Sequence, residues 1–204
     1  MDIRHIADRI LSVRSPERTT IIGIDGLGGA GKSTISQSIS ALLKGEGLSV
    51  IVLHIDDFIH TRSVRYNGDY EEWECYYKLQ WRYDYLLDEI IFPIKKGNSI
   101  SKKVELYDKD NDCYCLYEVD APVGSVVIIE GVFLQRKELC GVFDYMIYID
   151  IPEEVRLTRV LRRDGYIGDD NQIKLKYDNR YFPAERHYVR ECAPVQNADF
   201  VIEE

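Results

Sequence analysis

The residues best equipped for chemistry lie in the run Gly26-Leu27-Gly28-Gly29-Ala30-Gly31-Lys32-Ser33, followed by Thr34. The run fits G-x-x-x-x-G-K-[ST] at each fixed position. Glycines let a backbone turn its N–H groups toward phosphate oxygens. A helix opening at Lys32 would aim its positive end at the same anion. The Lys32 ammonium can reach β- and γ-phosphates, the Ser33 hydroxyl can ligate Mg²⁺, and Thr34 would lie near the α-phosphate. Gly26, Gly28, Gly29, Ala30, Gly31, Lys32, Ser33 and Thr34 are therefore the expected site for a nucleoside triphosphate.

Phosphoryl transfer to a hydroxyl also needs a carboxylate to orient the acceptor and take its proton. Asp56 and Asp57 stand where a second apolar strand ends, and ligands of doubly wound sheets bind at such ends. Glu130 closes the apolar run Val126–Ile129, where an acid beside Mg²⁺ would ligate it indirectly or orient a water. Ser33 and Glu130 are thus the candidate metal residues. Arginines concentrate late, at Arg156, Arg159, Arg162, Arg163, Arg180, Arg186 and Arg190, and closing arginines stabilise charge on a transferring phosphoryl group. Arg159 and Arg163, four apart, share a helix face.

The elements that would position these groups follow from periodicity. Residues 3–13 read as a helix, 19–25 as a buried strand, 32–44 as a helix and 48–55 as a second strand, which together form a βαβ unit of parallel type. Residues 60–80 are polar and aromatic without a clean period. Residues 81–95 look helical, and 103–107 with 113–119 alternate around Asp108–Asp112 as a hairpin. Two more buried strands are expected at 126–129 and 145–151, helices at 152–163 and 172–191, and a last strand at 198–202. Asp164 to Asn171, with two glycines between helices, reads as a mobile lid. No repeat or linker divides the chain, so one domain over 1–204 is expected, with an insertion at about 60–118.

Composition narrows the partners. The 204 residues carry 26 Lys+Arg against 35 Asp+Glu, a net charge of −9, which disfavours nucleic acid. No apolar run is long enough to span a membrane, and the polar N-terminus lacks an apolar signal core. The five cysteines sit at irregular positions. Cys113-x-Cys115 would share one strand face, but no second pair or His stands near it, so reduced thiols in a cytoplasmic protein are expected. Homo-oligomerisation stays open. No Asn-Lys-x-Asp tetrapeptide occurs, which argues against a GTPase.

The segment Ile24 to Ser33, with His54-Ile55-Asp56-Asp57-Phe58, Glu130-Gly131, Pro152 to Asp164, Arg180 to Arg186 and Ala198 to Ile202, resembles the uridine kinase family, related to phosphoribulokinase and bacterial pantothenate kinase. The resemblance implies an α/β P-loop fold: a three-layer sandwich around a five-stranded parallel sheet, with a small hairpin insertion. It implies transfer of the ATP γ-phosphoryl, with Mg²⁺, to a hydroxyl of a small molecule, most simply a nucleoside. By the same resemblance Asp56 rather than Asp57 is the base, and Lys32 and Arg163 act with it. Tyr107 would touch the base and Asp84 would grip ribose hydroxyls. The chain departs from the family at its lid, which lacks the Arg-Gly-Arg element, and at Ile59, where Tyr is common. Another acceptor, pantothenate-like or a sugar, and a nucleotide-binding regulator without an acceptor are the alternatives.

Overall fold

Helix α1 (Ile3–Val13) leads into strand β1 (Thr20–Gly26), helix α2 (Lys32–Gly45) and strand β2 (Val50–His54) in a computed structural model that describes residues 3–203. Four short helices follow: α3 (Arg62–Arg65), α4 (Glu72–Leu79), α5 (Tyr83–Leu86) and α6 (Phe92–Lys95). Strands β3 (Ile100–Asp108) and β4 (Cys113–Ala121) form the antiparallel hairpin. Then come β5 (Val126–Gly131), β6 (Tyr145–Asp150), α7 (Glu153–Arg163), α8 (Asp170–Lys176), α9 (Phe182–Cys192), α10 (Pro194–Asn197) and β7 (Phe200–Glu203). Among the described residues, no helix is long and apolar enough to cross a membrane.

The five sheet strands run parallel in the order β2-β5-β1-β6-β7. Their near-continuous apolar sequences are what burial on both faces demands. Alternation sorts the side chains: Ile22, Ile24, Ile128, Ile147 and Ile149 pack with Ile6, Ile10, Ile35, Ile39 and Leu43 of α1 and α2. Ile21, Val127, Ile129 and Tyr148 point the other way, onto Leu86, Ile90, Phe133 and Tyr188. Helices therefore cover both faces, giving three layers. Each fully buried Ile contributes about 1.5–3 kcal/mol.

Several elements differ from the sequence reading for local reasons. The second strand stops at His54, because Ile55–Asp57 turn into a single 3₁₀ turn that carries both acids away from the sheet. The aperiodic stretch 60–80 holds α3 and α4; α4 has a reciprocal cap between Glu71 and Glu74. The helices expected at 81–95 and 172–191 are each broken by a π turn, Leu87–Ile91 and Tyr177–Tyr181. Both π turns run into Phe-Pro, at Phe92-Pro93 and Phe182-Pro183. A proline lacks the N–H and crowds the carbonyl four residues back, and a wider turn relieves both. Asp169 accepts the Gln172 N–H at 2.9 Å and starts α8 at Asp170, so the connection after α7 is shorter than 164–171.

Candidate active site

The P-loop bridges the C-terminal end of β1 and the N-terminus of α2. Gly31, at φ 94°, sits in the left-handed region as α2 begins. Gly29 is also left-handed (φ +82°), and a Cβ there would come within 2.9 Å of the Arg156 carbonyl oxygen and of Val160. Both glycines are thus imposed by the turn and by the approach of α7.

Two cavities meet at this loop. One, of about 270 Å³, is lined by Gly29, Gly31, Lys32, Ser33 and Thr34 together with Arg159, Val160 and Arg163. The other, of about 880 Å³, runs from Gly28, Gly29, Lys32 and Asp56 toward Tyr107 on the hairpin. Gly29, Lys32 and Arg163 belong to both walls. Gly26 and Ala30 line neither. Ala30 is buried and its N–H donates to the Leu27 carbonyl at 3.1 Å, so these two residues shape the loop rather than face a ligand. The Gly28 N–H is likewise taken, donating to Glu185 Oε1 at 2.8 Å.

Lys32 Nζ donates to the Leu27 carbonyl at 3.1 Å. Burial pulls its pKa down, against the carboxylates of Glu130, Asp56, Asp25 and Glu185. Ser33 Oγ donates to Glu130 Oε1 at 2.8 Å, and His54 Nδ1 bonds the same oxygen from the neighbouring strand, where His54 and Glu130 are register partners. Burial alone would raise the Glu130 carboxyl, but the His54 and Ser33 hydrogen bonds and Lys32 hold it below its ordinary value. The His54 hydrogen bond to Glu130 in turn raises the imidazole.

Asp56 opens onto the larger cavity and accepts the Trp81 indole N–H at 3.3 Å. The protein mass around that cavity raises its carboxyl above the ordinary range, with Lys32 and Trp81 pulling the other way. A raised carboxylate facing a cavity and close to a lysine suits a group that must exchange a proton. Asp57 also lines this cavity.

Not every expected site residue arrives. Asp84 lies exposed in the first turn of α5 and lines neither cavity. Arg162 is exposed and lines neither. Arg163 reaches both cavities, but its charge is shared: Nε and Nη2 donate to Asp164 at 2.6 and 3.0 Å. Asp164, expected in an open lid, is buried and also accepts the Tyr177 hydroxyl at 2.7 Å. Tyr107 does line the cavity. At the turn end of the hairpin, Asp108 gathers beside Cys113 and Cys115. Its carboxylate is already used on Asn111 Nδ2 at 2.7 Å.

Sequence reasoning missed the framework behind the loop. Arg156 Nη1 donates to Glu185 Oε2 at 2.8 Å and to the Gly28 carbonyl at 3.0 Å, while Nε donates to the Ile151 carbonyl at 3.0 Å. Both partners of this ion pair are 3% exposed, so α7 and α9 clamp Gly28 from both sides. Asp25, fully buried, accepts the Tyr188 hydroxyl, Gln135 Nε2 at 3.2 Å and the Gly26 N–H at 2.8 Å. One signal was present: Glu185 falls three residues from both Phe182 and Tyr188, a charge on an apolar helix face. The pairing of His54 with Glu130 had none, since it depends on strand order.

The sequence profile of the phosphoribulokinase/uridine kinase family matches residues 21–204. A uridine kinase of Staphylococcus aureus is 31% identical over 148 residues, which are 72% of this chain and 69% of that protein. A solved structure described as a possible uridine kinase from Bacillus stearothermophilus superposes with a TM-score of 0.81 at 32% identity, covering 98% of this chain and 96% of the other. D-glycerate 3-kinase from Cryptococcus neoformans shares the fold at 16% identity, with a TM-score of 0.67 over 89% of this chain and 86% of its own. With the P-loop, its cavities and the parallel sheet in place, the chain belongs to the phosphoribulokinase/uridine kinase family and is an ATP-dependent small-molecule kinase.

Proposed function

We propose that this chain moves the γ-phosphoryl of ATP to a hydroxyl held in the larger cavity, with Asp56 as the general base. The observation that carries the reading is the shared wall: Lys32 faces both cavities, and Asp56 faces the larger one beside it. ATP phosphates would lie on the amides of Gly29, Gly31, Lys32, Ser33 and Thr34 and on the positive end of α2. Lys32 and Arg163 would meet the charge that spreads over the transferring group. Asp56 would orient the acceptor oxygen and accept its proton.

Ser33 and Glu130 offer a hydroxyl and a carboxylate, oxygen donors that suit a hard cation such as Mg²⁺. They would hold it, Glu130 directly or through a water. When bound, Mg²⁺ would neutralise phosphate charge. His54 fixes the Glu130 carboxylate from the adjacent strand.

A free nucleoside is the acceptor suggested by the uridine kinase relatives, and Tyr66, Tyr76 and Tyr107 on the cavity wall supply rings for a base. A different hydroxylated metabolite is favoured by Asp84, the residue expected to grip ribose hydroxyls, which lies outside the cavity. ADP release with Mg·ATP, alone and with a panel of nucleosides, sugars and hydroxy acids, separates these readings from a nucleotide switch. Turnover should rise only with an acceptor; equal turnover without one would defeat the kinase reading.

A further inference from the structure

On the hairpin side, the larger cavity is lined by positive charge that the protein's own carboxylates neutralise only in part. Arg65, on α3, is 8% exposed and lines this cavity. Its Nη2 donates to the Tyr107 hydroxyl at 2.7 Å, while its Nε is buried with no hydrogen-bond partner. Among the described residues, no carboxylate lies within ion-pair distance of this guanidinium. Countercharge reaches it indirectly: the Tyr107 hydroxyl donates to Asp112 Oδ1 at 2.8 Å, and Asp112 also accepts the Arg62 N–H at 2.8 Å.

Lys176 shares the same wall, and Arg180 is buried behind the Tyr66 ring that lines it. Lys176 Nζ and Arg180 Cζ lie 5.2 and 4.4 Å from the centroid of the Tyr66 ring, and Arg65 Cζ lies 5.7 Å from it. Arg180, 1% exposed, is bonded to neutral oxygens, the Glu72 carbonyl and Gln80 Oε1, both at 3.2 Å. Lys176 meets a carboxylate only at 3.7 Å, on Glu72. Lys109 adds a further cation, opposed by Asp110 beside it. Of the other lining acids, Glu185 holds the Gly28 N–H, Asp164 is taken by Arg163 and Tyr177, and Asp56 and Asp57 follow directly on β2.

Buried charge is costly unless paired, and a buried donor without an acceptor calls for an explanation. This chain has 35 acidic residues against 26 basic ones, so a shortage of carboxylates is not the reason. We infer that the acceptor is an anionic alcohol, whose carboxylate or phosphate docks on Arg65 and its neighbouring cations while its hydroxyl lies at Asp56. The inference rests on the kinase reading above and names its substrate class. A guanidinium can hold either oxyanion by paired hydrogen bonds. A free nucleoside, having no anionic group, would leave Arg65 as it stands.

Calorimetry on the full chain tests this. The chain is first saturated with Mg²⁺ and a non-hydrolysable ATP analogue, so that the P-loop is filled, and inorganic phosphate and acetate are then titrated separately. At least one should bind in a single site, and whichever binds more tightly gives the kind of oxyanion. Arg65→Gln should weaken that binding roughly 10- to 100-fold, the range of a charge-assisted hydrogen bond, while analogue affinity stays as in the parent chain. Because Arg65 is buried, Lys176→Met serves as a second, more exposed variant and should weaken the anion several-fold. In turnover, ribose 5-phosphate should exceed ribose, or glycerate exceed glycerol, in kcat/KM, and Arg65→Gln should erase that preference. Failure of the analogue to bind would instead strike the kinase reading. Normal analogue binding with no anion binding, or anion binding unchanged in both variants, would overturn the anion subsite.

Discussion

Asp56 owes its chemistry to where the chain bends. A 3₁₀ turn at Ile55–Asp57 lifts it off the end of β2, and the surrounding protein raises its carboxyl while Lys32 stands by. As the proposed base, Asp56 would act unprotonated, so activity should be present at pH values above its pKa and be lost as pH falls through it. The acid limb of kcat/KM should therefore lie above the ordinary aspartate value. Asp56→Asn should cut kcat by ~100-fold or more, whereas Asp57→Asn should cost far less and leave the acid limb in place. A larger loss at Asp57, read from pH–rate profiles of both variants, would reverse the assignment. The loop motif and both acids were legible in sequence because their chemistry is local. The Arg156–Glu185 pair was not, since its residues are 29 apart and meet only through tertiary packing. Removing one member leaves a buried charge alone. Arg156→Met should thus cost about 3–5 kcal/mol, or roughly 10 °C in melting temperature for a chain of this size. Adding Glu185→Gln should recover part of that loss; a calorimetric scan showing additive losses would deny the coupling.

At the scale of elements, the strands were readable to within two residues at most boundaries, because short β-branched apolar runs have few other uses. The helices around the acceptor cavity were not. α3 and α4 are too short and too polar to show a period, and the π turns at Leu87–Ile91 and Tyr177–Tyr181 shift the phase of any helical pattern that crosses them. The connection between α7 and α8 was read as an open lid. In the structure Asp164 is tied down by Arg163 and Tyr177, and Asp169 caps α8, leaving Gly165 to Gly168 as a turn closed by the Ile167 N–H on the Asp164 carbonyl at 2.9 Å. Hydrogen exchange should accordingly show faster exchange at 165–168 than at 170–176 without ligands, and slower exchange there once ATP and acceptor are bound. Arg163→Ala should lower kcat more than it raises KM for ATP, because its charge is needed most in the transition state. Equal protection with and without ligands, or an unchanged kcat, would contradict this role.

For the molecule as a whole, the parallel sheet in the order β2-β5-β1-β6-β7 sets the P-loop, Asp56 and Glu130 at one end of neighbouring strands. That gathering could be anticipated from a strand–glycine loop–helix–strand unit, since parallel strands with right-handed crossovers bring their C-terminal ends together. The cationic side of the larger cavity could not be anticipated, because Arg65 ends α3, Tyr66 follows it and Lys176 ends α8, 100 residues and more away in sequence. Phosphoryl transfer to an acceptor in the larger cavity is the central claim. Its most direct measurement is mass spectrometry of a pooled metabolite extract incubated with Mg·ATP and the protein, alongside Lys32→Ala and Asp56→Asn. A new phosphorylated small molecule should form with the parent chain, in step with ADP, and should fall by ~100-fold or more with either variant. ADP formed without any phosphorylated product, or the same product yield from folded Lys32→Ala or Asp56→Asn protein, would contradict it.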